Sequence, residues 1–122
     1  MRAVVLHSAR DLRVEDHAPP TEDGKNVRVR IEAGGICGSD LHYYQHGGFG
    51  AIRVREPIVL GHEVAGTVIS APEGAGLGSG DKVAVSPSRP CGACRFCRDG
   101  LKNHCENMRF YGSAMPMPHI QG

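Results

Sequence analysis

The sequence predicts a mainly β domain of short antiparallel strands joined by tight turns, with an irregular cysteine-rich lobe toward the end. Three observations support this. The 122 residues include 17 Gly and 8 Pro but no Trp, a composition that interrupts long helices and favours turns. Apolar residues recur at period two in short runs, the spacing of half-buried strands. Residues 87–112 show no period and hold Cys91, Cys94, Cys97 and Cys105, four of the 5 cysteines, so something other than an apolar core must hold them together.

Lys and Arg number 14 against 13 Asp and Glu, a net charge of +1, which argues against a polyanion as the main partner. The longest apolar runs, residues 1–6 and 57–61, are far too short for a membrane span or a signal-peptide core. The expected setting is the reducing cytoplasm, with no membrane or nucleic-acid partner. A chain of this length buries roughly two-thirds of the surface its unfolded form exposes, so its stability needs no disulfides. An odd number of cysteines could not all pair in any case.

Taken in order, Val4, Val5 and Leu6 form a first strand, Leu12 and Val14 among charged neighbours a second, and the unbroken alternation from Val27 to Glu32 a third. Pro19-Pro20 and Asp23-Gly24 supply turn chemistry between the second and third, so the three read as one small antiparallel unit. Gly34-Gly35 ends the third run. Ser39-Asp40 is then a cap for a short helix through Leu41-His42-Tyr43-Tyr44, followed by a loop at Gly47-Gly48-Phe49-Gly50. The strand pattern resumes from Ile58 to Ile69 and again at Lys82-Val83-Ala84-Val85. Between these runs, Gly74 to Gly80 invites a dinucleotide-binding reading. The third glycine of G-x-G-x-x-G would fall on Ser79, however, and a strand and Pro87 follow in place of a helix. The segment reads as a flexible hairpin loop.

The lobe carries C-x2-C-x2-C-x7-C. Close spacing lets three thiolates converge on one ion from a tight turn, and the longer gap returns the fourth to complete a tetrahedron. Four sulfurs leave no open position, so the site is structural. Disulfides between cysteines so close in sequence are geometrically poor. An iron–sulfur run would continue x3-C-P, whereas Glu106 follows Cys105 here, which favours zinc. Arg89, Arg95, Arg98, Lys102 and Arg109 raise the alternative of a zinc ribbon for nucleic acid. Against Asp99 and Glu106 they leave +3, and the −2 of a zinc–tetrathiolate unit lowers this to about +1. These side chains read more simply as donors to sulfur and as a solvated surface.

Cys37, the fifth cysteine, sits among polar groups at a glycine bend. His62-Glu63 lies in Gly61-His62-Glu63-Val64-Ala65-Gly66. Adjacent side chains of a regular strand point to opposite faces, so both could reach one ion only where Gly61 breaks the strand. Cys37, His62 and Glu63 would offer zinc one S, one N and one O and leave a position open, the plan of a catalytic site.

Cys37-Gly38-Ser39-Asp40-Leu41-His42, Gly61 to Gly66, Gly80-Asp81-Lys82-Val83 and the four-cysteine lobe, in this order and spacing, resemble the N-terminal catalytic domain of the zinc-dependent medium-chain alcohol/polyol dehydrogenases. The runs 34–44 and 108–115 place the resemblance in the sorbitol dehydrogenase branch. It covers essentially the whole chain, 1–122, and implies a GroES-like fold, a partly open antiparallel barrel with short helices and the zinc lobe at about 87–112. It also implies two Zn²⁺ per chain, NAD or NADP as coenzyme, a small polyol or sugar-acid substrate, and a homo-oligomer at full length. Cys37, His62 and Glu63 resemble the catalytic zinc ligands, and Cys91, Cys94, Cys97 and Cys105 the structural ones. Ser39 resembles the group that takes the substrate proton, His42 a further relay member and Tyr43 a substrate-pocket residue. On the residues alone, His42 reads as a surface histidine of a capped helix, and His7, His17, His46, His104 and His119 have no assigned role. Two departures stand out. Pro72 replaces a small residue of the family motif, and no coenzyme-binding βαβ unit lies within these residues, so hydride transfer is not expected of them alone. The alternative is a non-enzymatic GroES-like zinc scaffold or interaction module.

Overall fold

A computed structural model describes residues 1–21 and 23–114. Met115 of the 108–115 run and His119 lie outside the described residues. The elements follow in chain order: β1 (Arg2–Ser8), β2 (Asp11–Asp16), β3 (Arg28–Gly34), α1 (Gly38–His46), β4 (Gly48–Phe49), β5 (Ile52–Arg53), β6 (Ile58–Val59), β7 (Val64–Ser70), β8 (Lys82–Val85), β9 (Ser88–Arg89), α2 (Arg95–Arg98), a single 3₁₀ turn (Lys102–His104) and β10 (Arg109–Phe110). Two three-stranded antiparallel sheets dominate, ordered β2-β1-β6 and β3-β7-β8. They are separate and do not close into one barrel. Two two-stranded sheets, the β4-β5 hairpin and β9-β10 at the base of the cysteine lobe, complete the strands. Among the described residues no helix is long and apolar enough to cross a membrane.

β1 and β2 form the expected hairpin, with Val4 opposite Val14 and Leu6 opposite Leu12. The third strand departs from expectation. β3 pairs with β7 and not with β2, because the long 17–27 connection lets it reach the other sheet, where a non-local partner offers six residue pairs. The apolar run from Ile58 to Ile69 also divides. Its first part, β6, pairs with β1, placing Ile58 opposite Leu6; its second, β7, is the centre of the other sheet. Gly47 to Gly50 is no simple loop, since Gly48 and Phe49 pair with Arg53 and Ile52. The 74–80 segment does join β7 to β8, with Val68 and Gly80 hydrogen-bonded across its base at 2.9 Å.

The core lies between the first sheet and α1. Leu6 and Ile58 are wholly buried and pack with Tyr43 and Ala114, flanked by Ile52, Val54 and Leu60. Across the second sheet, the Thr67 hydroxyl and the Lys82 ammonium each donate to Glu32 at 2.7 Å. These partners hold the Glu32 carboxyl down at about 2.

The small core makes individual side chains count. Leu6→Ala is expected to lower the unfolding free energy by about 2–5 kcal/mol in urea titrations. Val14→Ala, at a strand position 68% exposed, should cost under about 1 kcal/mol. Equal losses at the two positions would contradict this placement of the core.

Candidate metal centres

The Sγ atoms of Cys91, Cys94, Cys97 and Cys105 all lie within 4.8 Å of one another. Cys91–Cys97 and Cys94–Cys105 are each 4.0 Å apart, close to the roughly 3.8 Å edge of a tetrahedron with Zn–S bonds of about 2.3 Å. None of the five cysteines is in a disulfide. The local fold supplies the donors that thiolates need. The backbone N–H groups of Ala93 and Cys94 point at Cys91 Sγ at 3.4 and 3.3 Å, and that of Cys91 at Cys105 Sγ at 3.2 Å. The first two bring the Cys91 thiol down to about 6, and the N–H of Cys97 lowers Cys94. Cys97 is buried, which pushes its thiol up to about 12. Two of the basic side chains of the lobe have local partners: Arg95 lies over the Phe96 ring at 4.4 Å and pairs with Glu106 at 3.3 Å, while Arg89 donates to the Tyr111 hydroxyl at 3.2 Å.

The second donor set is Cys37, His62 and Glu63, whose ligand atoms also fall within 4.8 Å of one another. Gly61 has φ +111°, a conformation reserved for glycine, and this breaks the strand so that both neighbouring side chains reach Cys37. Glu63 lies against Gly35, where a Cβ would overlap its carboxylate. The Gly35 N–H donates to the Glu63 carbonyl at 2.7 Å. Cys37 is the N-cap of α1, so the helix starts earlier than the Ser39-Asp40 cap expected from sequence. Asp40 occupies the third helical position and accepts the Cys37 N–H at 2.9 Å. The Cys37 thiol is drawn down by the Ser39 hydroxyl and N–H and then by His62.

Asp40 is the residue that the sequence reading missed in this role. Its other oxygen, Oδ1, faces His62 Nδ1 at 3.5 Å, and both atoms are buried with no hydrogen bond of their own. Histidines that bind metal commonly turn their second nitrogen to a carboxylate in this way. The signal was present in the sequence, since an acidic side chain three residues after a helix cap turns back toward it. His62 also meets the edge of Phe110, with ring centroids 5.5 Å apart. His62, Glu63 and Phe110 border an open cleft of about 790 Å³. The donor chemistry and the orphaned His62–Asp40 atoms both fit a bound cation.

The other candidate residues are dispersed around α1. Ser39 is in the first turn beside Cys37. His42 is exposed, against His46 and Phe49. Tyr43 is only 2% exposed, packed in the core with Leu6 and Ile58, and its hydroxyl lies 2.9 Å from Ser113 Oγ.

A β-rich fold with open sheets thus carries two donor sets suited to zinc, a closed four-thiolate lobe and a mixed S, N, O set. Residues 23–122 match the alcohol dehydrogenase GroES-like domain, and the chain belongs to that family. It is 52% identical over 94 residues to L-idonate 5-dehydrogenase (NAD(P)(+)) of Escherichia coli K12, covering 77% of this chain and 27% of that protein. It is 40% identical over 117 residues to sorbitol dehydrogenase of Bacillus subtilis, covering 90% and 31%. The crystal structure of the Escherichia coli L-idonate 5-dehydrogenase superposes with a TM-score of 0.91 at 42% identity, over 99% of this chain and 34% of that one. The chain thus spans roughly a third of the length of these relatives.

The lobe's electrostatics predict an order of reactivity. In metal-free protein, alkylation by iodoacetamide should reach Cys91 first, with a half-maximal rate near pH 6, because the thiolate is the nucleophile. Cys97 should stay unmodified through neutral pH. Mass spectrometry of the labelled peptides checks this, and equal labelling of the two would contradict it.

Proposed function

We propose that this chain is the zinc-binding catalytic domain of an NAD(P)-dependent dehydrogenase that oxidises a secondary alcohol of a polyol or sugar acid, in the manner of the L-idonate 5-dehydrogenase it is similar to. The observation that carries the reading is the convergence of Cys37, His62 and Glu63 from two chain segments, with Asp40 behind His62. In this reading the chain holds two zinc ions, one in the closed lobe and one in this open set. With Nδ1 turned to Asp40, the ligating nitrogen of His62 is Nε2. Bound there, zinc supplies Lewis acidity toward the substrate hydroxyl.

The chain's own residues do the rest. Gly61 and Gly35 fix where the three donors stand. Ser39, at the start of α1 beside Cys37, would take the hydroxyl proton. His42 lies three residues further along the helix and on its exposed side, so it passes the proton to water. Loss of that proton lets the carbinol carbon release hydride to the nicotinamide, leaving a ketone. The same reading makes the complete enzyme a cytoplasmic homo-oligomer acting on small molecules.

The scaffold alternative accounts for the lobe but gives no use to a three-donor set that leaves a coordination position open. Metal analysis of protein purified without added metal should give two zincs per chain, whereas one would favour the scaffold. In the complete enzyme, Cys37→Ser or His62→Ala should cut turnover by at least about 10³-fold with circular dichroism unchanged. Cys97→Ser should chiefly lower the melting temperature. Normal turnover in either of the first pair would refute the assignment.

A further inference from the structure

The site described above leaves one end of α1 unexplained. His42 and His46 are four residues apart on the same helix and both are exposed. Side chains at that spacing project from one face, with Cβ atoms roughly 5–6 Å apart. Their rings do meet across the turn, with centroids 5.9 Å apart and planes inclined at 34°. The Phe49 ring lies 5.4 Å from that of His42.

We propose that His42 and His46 form a separate two-histidine site for a borderline divalent cation of the Ni²⁺ and Zn²⁺ type, with water completing the coordination shell. Imidazole nitrogen suits these ions, and a histidine pair at i and i+4 is the arrangement by which a helix offers two nitrogens to one metal. Metal–nitrogen bonds of about 2.0–2.1 Å require the rings to close by rotation of two exposed side chains, without movement of the helix backbone. The donor set is distinct from Cys37, His62 and Glu63. One consequence rests on the proposed proton relay: a cation held here engages the His42 imidazole and removes it from proton transfer, so excess divalent metal would slow turnover. The site itself does not depend on that reading.

The test uses the chain loaded with two equivalents of zinc and freed of excess metal, with Ni²⁺ as the probe. Paramagnetic broadening in NMR spectra should appear first at His42, His46 and Phe49, at Ni²⁺ well below one equivalent. His46→Gln should weaken binding at least about tenfold through loss of one of two nitrogens, whereas His104→Gln should leave it unchanged. Broadening that begins at His7, His17, His104 or the cysteine lobe would overturn the proposal, as would equal affinity in His46→Gln. Because no turnover is measured, failure here is distinguishable from failure of the dehydrogenase reading.

Discussion

Between Val59 and Val64 the chain leaves one sheet and enters the other, and Gly61, at φ +111°, is where it turns. A continuous strand from Ile58 to Ile69 would have kept His62 and Glu63 on opposite faces. The turn lets both side chains meet Cys37, and it also ends β6 against β1 and starts β7 between β3 and β8. One backbone conformation therefore joins the two sheets and assembles the donor set. Glu63 is held from the other side by Gly35, whose missing side chain makes room for the carboxylate. The site is built from the seam of the fold, which is why its ligands come from residues distant in sequence.

The two donor sets are held in different ways. In the lobe, backbone N–H groups at 3.2–3.4 Å from sulfur stabilise thiolates directly, and the apolar core contributes little beyond Cys97. A bound cation would offset the repulsion that four thiolates this close exert on one another. Cys37, His62 and Glu63 instead hang from sheets and a helix that fold for other reasons. Their second layer is a side chain, Asp40, in place of backbone. A set with an open side suits chemistry, and a closed set of four sulfurs suits structure.

Local features were legible in the sequence. Cysteine spacing located the lobe, period-two runs located most strands, and Gly61 marked the break beside His62. What could not be read was non-local or carried by atypical residues. Nothing in the residues 28–34 names β7 as their partner, because strand pairing is chosen by the whole chain's burial and not by the turn signals at Pro19-Pro20 and Asp23-Gly24. The helix cap was misplaced because cysteine is an uncommon N-cap and Ser39-Asp40 follow the usual preference. The β4-β5 hairpin has two residues per strand, too few for any period to register. Tyr43 reads as part of a motif in sequence, yet its neighbours in space are Leu6 and Ile58.

α1 draws these points together. It is nine residues long, short enough that an isolated helix of its length would be marginal in water, and only Asp40 and Tyr43 are buried. No broad apolar stripe holds it. Its position comes instead from discrete ties: Asp40 against His62 Nδ1 at 3.5 Å, Tyr43 to Ser113 at 2.9 Å, and the Arg10 N–H to the Tyr44 carbonyl at 2.6 Å. Cys37, Ser39 and His42 ride on the same helix, so the bonds that fix it in the fold also set the direction of the metal ligand and of the groups proposed to move the proton. Loss of the Tyr43 hydroxyl would thus be felt at Ser39 one turn away. A helix fixed by a few tethers converts small changes in the 111–114 segment into changes at the donor set, which a helix locked by a wide apolar face would resist.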